Sequence, residues 1–325
     1  MTSWSGSAIT FANITTVGSQ PYSLYVDINN TVYVADRANH RVQVWLEGRT
    51  TPTRTISGWF SYPFSIFSTN NGDIYVDNGY TYNRVDRLMM NGTRNSSAMY
   101  VKDECFGLFV DVMNNLYCSM YYLHQVMMKS LNNNSTMWII AAGTDCAGST
   151  SNTLTYPRGI FVDTDLNLFV ADCGNNRVQK FLSEQVNAIT VAGSAAANTI
   201  TLSCPSGVIL DGDGYLFIVD SYNHRIVASG PNGFRCIVGC SMIAGSLSSQ
   251  LNQPSDLKFD SYGNIFVIDR DNSRVQKFVL IPNTTYRKYF LYYQKENDCC
   301  VFSVINQSTK LLRINNLVSR WNHFC

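Results

Sequence analysis

One stretch decides the fold: Pro157–Phe181, PRGIFVDTDLNLFVADCGNNRVQKF. Pro and Gly lead into an apolar strand, Ile160–Val162, that stops at Asp163. After a polar turn comes a second strand, Leu168–Ala171, that stops at Asp172. A short loop then reaches Asn176-Arg177, and Val178–Phe181 alternates again as a third strand. Short period-2 runs bounded by Asp, Asn and Gly are the mark of antiparallel strands joined by tight turns.

The same unit recurs along the chain. Its leading Pro returns at Pro21, Pro63, Pro157, Pro205 and Pro254, with Cys105 in its place once. These anchors stand roughly 42 to 52 residues apart, the repeat length of propeller blades. Six residues after each anchor come Asp27, Thr69, Asp111, Asp163, Asp211 and Asp260, followed by turns rich in Asn, Gly and Asp, residues that tolerate positive φ. The second strand reads VYVAD, IYVDN, LYCSM, LFVAD, LFIVD and IFVID, and the third opens at Arg41, Arg84, Gln125, Arg177, Arg225 and Arg274. A more variable fourth strand is expected at Arg54–Ile56, Ala98–Val101, Trp138–Ala141, Ile189–Ala192 and Arg235–Val238. Four antiparallel strands in each of six units predict an all-β, six-bladed β-propeller.

Composition agrees and narrows the function classes. The net charge of +1 with 14% charged residues gives no general electrostatic case for nucleic acid or an anionic membrane. Aromatic content of 13% favours β-structure. No run approaches the roughly 18 apolar residues of a membrane span, and MTSWSGSAITFANITT lacks the basic and apolar regions of a signal peptide. Ten cysteines are many for a reducing compartment. Asn-x-Ser/Thr acceptors stand at Asn13, Asn29, Asn91, Asn95, Asn133, Asn134, Asn283 and Asn306. A chain this rich in Asn, Ser and Thr produces several such acceptors by chance, so they add little to a glycoprotein reading. The cysteines point to an extracellular or secreted protein, while the missing signal peptide points to the cytoplasm or to a start further upstream; the extracellular reading is preferred.

The repeated pattern, P-x-G-[IL]-x-[VF]-D, then [LI]-[YF]-V-x-D, then N-x-R-[VI]-x-x-F, resembles the NHL repeat. Units four and six match it most closely, with Arg177 to Phe181 and Arg274 to Phe278, and the resemblance spans about residues 15–278. It implies a propeller domain over 1–278 and a non-repeating tail over 279–325. The sixth unit has only three strands of its own, so an N-terminal strand, Ile14–Gly18, is expected to pair with Val275–Phe278 and close the ring. In the tail, Leu311–Trp321 reads as a short amphipathic helix.

The polar residues divide into those that recur and those that do not. Asp36–Arg41, Asp172–Arg177, Asp220–Arg225 and Asp269–Arg274 repeat in four units; an active site needs its residues once, so these read as structural ion pairs. His40, His124 and His224 open the third strand in alternate units. That places them about 10 Å out from the innermost strand on separate blades, far beyond the reach of a single zinc ion. Among proteins of this resemblance, the zinc-dependent peptidyl-amidoglycolate lyase carries its metal histidines directly after the anchor. Here those positions hold Tyr22, Phe64, Phe106, Arg158, Ser206 and Ser255, so that chemistry lacks its metal. The same positions are expected to line the channel mouth, with Tyr22, Phe64, Phe106 and Arg158 either forming a binding surface or filling the channel. Asp163-Thr-Asp165-Leu-Asn167 lacks the Gly and distal Glu of a calcium loop and reads as a turn. No catalytic constellation, metal site or cofactor is expected.

The cysteines read as bridges, with Cys105–Cys118 tying the first hairpin of unit three and Cys173–Cys204 joining units four and five; reduced, buried cysteines are the competing reading. The resulting expectation is a non-catalytic, monomeric scaffold presenting loops on one face to a protein, peptide or glycan. The alternatives are an RNA-binding propeller, for which the long loops 143–156, 193–204 and 239–253 hold almost no basic residues, or an enzyme using the central channel.

Overall fold

The computed structural model describes residues 3–89, 94–132, 137–196 and 199–281, and the backbone of three strands between 290 and 312. The anchored units form six four-stranded antiparallel sheets. Blade four comprises Pro157–Val162, Leu168–Asp172, Arg177–Phe181 and Ala188–Gly193, paired in sequence order. The innermost strand of each blade touches those of both neighbours, including blade six against blade one. The ring is therefore closed. Among the described residues, six buried apolar clusters lie one between each pair of adjacent blades. Second strands such as Leu168–Asp172 and Ile265–Asp269 are buried at every residue, because both faces of a blade pack on another sheet.

Each first hairpin is shaped by the recurring Asp. Asp163 Oδ1 accepts the backbone N–H groups of Asp165 at 3.0 Å and Asn167 at 2.8 Å. Asp27, Asp111, Asp211 and Asp260 do the same two and four residues on. The carboxylate holds the turn that positive-φ residues make possible.

The N-terminus closes the ring, through a different segment from the one expected. Ile9–Ala12 pairs antiparallel with Arg274–Phe278, aligning Ile9 with Lys277 and Ala12 with Val275. Ile14–Val17 is instead one helical turn, because Asn13 caps it. The Asn13 side chain accepts from Thr15 N–H at 3.1 Å, and Thr16 Oγ1 accepts from Asn13 N–H at 3.2 Å. A capping box here overrides a β-like composition. Ser3–Trp4 extends the closure by pairing with Leu280–Ile281, so the chain continues along the ring beyond Phe278. The Trp4 indole donates to the Gly263 carbonyl at 2.8 Å and meets Phe217 edge-on at 5.4 Å.

The fourth strands of blades one, three and four, Arg54–Ser57, Ile139–Gly143 and Ala188–Gly193, lie within a residue or two of expectation. That of blade two is longer, Arg94–Tyr100, and begins before the Ala98 expected. In the tail, Phe290–Glu296, Cys299–Asn306 and Thr309–Leu312 form a three-stranded meander. The helix expected over Leu311–Trp321 starts inside the last of these strands and otherwise lies outside the described residues. So do the acceptor positions Asn91, Asn133, Asn134 and Asn283.

Candidate functional site

The turns between second and third strands and the loops entering each blade share one face of the ring, and the recurring polar residues stitch that face together. The Arg side chain donates through Nε to the Asp carboxylate at 2.6 Å in Asp36–Arg41, 2.7 Å in Asp172–Arg177 and Asp220–Arg225, and 2.6 Å in Asp269–Arg274. Its remaining donors hold the loop arriving from the preceding blade. Arg177 donates to the carbonyls of Ser149, Thr150 and Thr153, and Arg274 to those of Ser246, Leu247 and Gln250. Arg225 donates to the Thr201 carbonyl at 2.8 Å, so all three long loops are pinned on their backbones.

The histidines have a structural place too. The backbone N–H of Tyr62 donates to His40 Nδ1 at 3.0 Å, that of Tyr156 to His124 Nδ1 at 3.2 Å, and that of Gln253 to His224 Nδ1 at 3.0 Å. In blades four and six the same acceptor is Asn176 Oδ1, from Cys204 N–H at 2.8 Å, and Ser273 Oγ, from Gln20 N–H at 3.3 Å. Each donor immediately precedes the anchor Pro of the next blade and has φ between 45° and 53°. A left-handed residue before proline is disfavoured, and the cross-blade bond holds it there. Among the described residues, no group of three or more His, Cys, Asp or Glu could hold a metal ion.

Blades two and three depart from the pattern in different ways. In blade two Asn78 stands where blades one, four, five and six have Asp, and the acid has moved to Asp86. Arg84 Nε donates to Asp86 Oδ1 at 2.9 Å, while Asn78 Nδ2 donates to Asp86 Oδ2 at 2.8 Å. Next to it, Asp77 accepts three backbone N–H groups, from Phe64, Gly79 and Cys105. Burial of Asp77 pushes its carboxyl up to about 7. Blade three has Met120 and Gln125 in place of the pair and is closed by the disulfide Cys105–Cys118, with Cα atoms 5.1 Å apart. Cys173–Cys204 joins blades four and five, and Cys236–Cys240, a pair that no feature of the repeat singles out, is a third bridge. Cys146 is the one free cysteine among the described residues and is exposed.

The residues after the anchors do converge on the axis. Tyr22 of blade one lies 5.1 Å from Phe64 and 5.3 Å from Phe106 of blade three, a contact that crosses the channel. Phe64 and Phe106 stack at 4.2 Å. The three rings therefore fill the mouth over blades one to three. Tyr22 and Phe64 are buried and Phe106 partly so. Beneath them is a cavity of about 20 Å³, room for about one water, bordered by Ser206, Ser255, Asp256 and Lys258. Backbones approach closely here: a Cβ on Gly159 would lie 2.3 Å from the Ser206 carbonyl oxygen.

A second ring surrounds the first, formed by the residue after each second strand: Arg37, Gly79, Tyr121, Cys173, Ser221 and Arg270. Tyr121 stacks on Phe106 at 4.4 Å and on Tyr156 at 4.8 Å, and the Arg37 guanidinium sits 4.3 Å from the Phe64 ring. Arg158 lies 5.7 Å from the Tyr121 ring and 5.8 Å from that of Tyr222. Sequence reading missed this second ring, although the repeat alignment places it one residue past each Asp. Around both rings, Tyr62, Tyr80, Tyr122, Tyr156 and Tyr222 are exposed. The residues shared between blades thus hold the face, while those peculiar to single blades form its centre.

Comparison with known proteins agrees with this architecture. The NHL repeat matches residues 19–45, 154–181 and 251–278, that is, blades one, four and six. No curated protein sequence matches the chain. Among solved structures, a protein of unknown function from Bacteroides thetaiotaomicron superposes with a TM-score of 0.69 at 15% identity, over 85% of this chain and 76% of that one. Virginiamycin B lyase from Staphylococcus aureus, in a catalytically inactive form with quinupristin, gives 0.56 at 11% identity over 90% and 94%. An auxiliary nutrient binding protein from Bacteroides ovatus gives 0.62 at 14% over 86% and 73%. At such identities the likeness is one of fold, and the fold hosts enzymes and binding proteins alike. The chain carries NHL repeats and folds as a six-bladed β-propeller.

Proposed function

We propose that the protein is a non-catalytic binding scaffold whose loop-bearing face meets a protein, peptide or glycan partner. One observation carries this reading: the residues that do not recur gather at the centre of that face. Exposed tyrosines surround a mouth that also holds Arg37, Arg158 and Arg270. Tyrosine offers a large, rigid, amphipathic contact surface at low entropic cost. The recurring Asp, Arg and His side chains are engaged in holding loops and blades, which suits a rigid platform. Three disulfides support an oxidising, extracellular setting, with Asn29 exposed in its hairpin turn as one glycosylation position. Among the described residues no helix is long and apolar enough to cross a membrane.

The test is capture from extracellular fluid and on a glycan array, comparing wild type with the Tyr122→Ser/Tyr222→Ser double variant. The expected result is a loss of at least about tenfold in affinity, as for removal of interface anchors, with the melting midpoint unchanged. Undiminished capture by the variant would remove the face from consideration, and capture of RNA instead would favour the nucleic-acid alternative.

A further inference from the structure

Among the described residues, buried arginines have acids, with one exception. Arg177 and Arg225 have side chains only 6% and 9% exposed, and each is paired with a fully buried Asp. Arg158, 5% exposed, has neither an acid nor any acceptor for Nε and Nη1. Two further polar groups near the same mouth are also buried without partners: the Tyr22 hydroxyl from blade one and the Ser221 hydroxyl from blade five. Arg158 approaches the ring of Tyr222, the residue after Ser221. Arg158 also exerts the strongest of the charge effects on Tyr22, although burial outweighs it and pushes that hydroxyl's pKa up. Neither ring around the axis contains a carboxylate. A buried cation without a counter-charge is costly, and proteins retain such costs where a ligand removes them.

We propose that this mouth binds a carboxylate group, accepted by Arg158 with the Tyr22 and Ser221 hydroxyls as further donors. Of the guanidiniums around the axis, Arg270 is already paired with Asp271 and Arg37 sits over the Phe64 ring, so Arg158 is the buried one without an acid. One guanidinium balances one negative charge, whereas a phosphate dianion would leave uncompensated charge in an aromatic-walled site. Tyr222, half exposed, and Tyr121 cover the guanidinium and must turn aside to admit the group. The carboxylate is either that of a small free acid or one carried by a peptide partner. The inference rests on the reading of this face as the partner's only for that second source.

The test is thermal melting and titration calorimetry of the full chain with acetate, N-acetyltriglycine, N-acetyltriglycinamide and inorganic phosphate. The carboxylates should raise the melting midpoint and the amide should not. Stronger binding of the peptide acid assigns the group to a chain, and stronger binding of acetate to a free acid. Arg158→Met should weaken carboxylate binding at least tenfold, yet melt no lower than wild type without ligand, because it removes an uncompensated buried charge. Tyr22→Phe should weaken binding severalfold. The proposal is overturned if neither carboxylate shifts wild type, if phosphate shifts it more than they do, or if Arg158→Met melts well below wild type without affecting binding. Carboxylate binding that persists while partner capture fails would retain this site and discard the reading of the face.

Discussion

Blade four and blade three solve the same problem with different chemistry. Both must fix the turn between second and third strands. Blade four does so with Asp172 and Arg177, whose guanidinium also reaches three carbonyls of the incoming loop. Blade three has Met120 and Gln125 at those positions, with Gln125 Oε1 buried and unpartnered. Its turn is held from the incoming loop, where Asp103 Oδ2 accepts the Tyr122 N–H at 2.6 Å, and the Cys105–Cys118 disulfide ties its first strand to its second. Blade two stands between them, keeping an ion pair but moving its acid along the third strand to Asp86. The difference teaches that what the repeat preserves is a mechanical duty, while the residue that performs it can change.

The comparison can be broken experimentally, beginning with the largest effect. Asp172→Ala leaves Arg177 buried without its counter-charge and should cost about 3–5 kcal/mol, measured by denaturant unfolding. The same change at Asp36 should cost less, because its partner Arg41 is 26% exposed; equal losses would show that burial of the pair is not what sets its worth. Next, replacing both Cys105 and Cys118 by Ser opens a bridge between residues 13 apart and should cost about 3 kcal/mol in the chain-entropy account. A negligible loss would mean that blade three is held without the bridge.

The last comparison concerns blade two and pH. The Asp77 carboxyl, raised to about 7 by burial, has an unfolded value near 3.9. Between those values the unfolded chain releases a proton that the folded chain retains. The stabilising contribution is therefore complete below about 4 and is lost as pH rises through about 7. Asp77→Asn cannot ionise, so it should flatten the fall in melting midpoint between pH 5 and 8, whatever it does to the absolute value. A slope identical to that of wild type would exclude Asp77 as its source.

Much of this molecule was legible in its sequence because its signals repeat. The anchors, the turn-forming Asp and the Asp–Arg pairs each recur, so their positions reinforce one another. Both proposed disulfides were readable as non-recurring cysteines placed on a known scaffold. What escaped was local or compensatory. Ile14–Gly18 has a strand-like composition, but Asn13 and Thr16 form a cap whose hydrogen bonds decide the matter. Asp86 takes over from Asn78 only because antiparallel register brings adjacent strands side by side, a relation that a column-by-column reading does not show. Tyr121, Ser221 and the rest of the outer ring lie in a column with no consensus, and a search for what repeats passes over such a column. The convergence of Tyr22, Phe64 and Phe106 followed from the repeat; that they would meet across the axis and plug one side of it depended on their sizes in three dimensions.

Closure by Ile9–Ala12 has a consequence for how the molecule comes into being. Trp4 bonds to Gly263, 259 residues away, so blade six cannot be completed until nearly the whole propeller has been synthesised. Contacts of such high sequence separation slow folding, and earlier blades must wait with an unsealed flank. By the same geometry the ring has no natural first blade: Ser3 lies opposite Ile281, and joining those two residues with the tail removed, while cutting a hairpin turn elsewhere, would give a circular permutant with every strand pairing of the propeller intact.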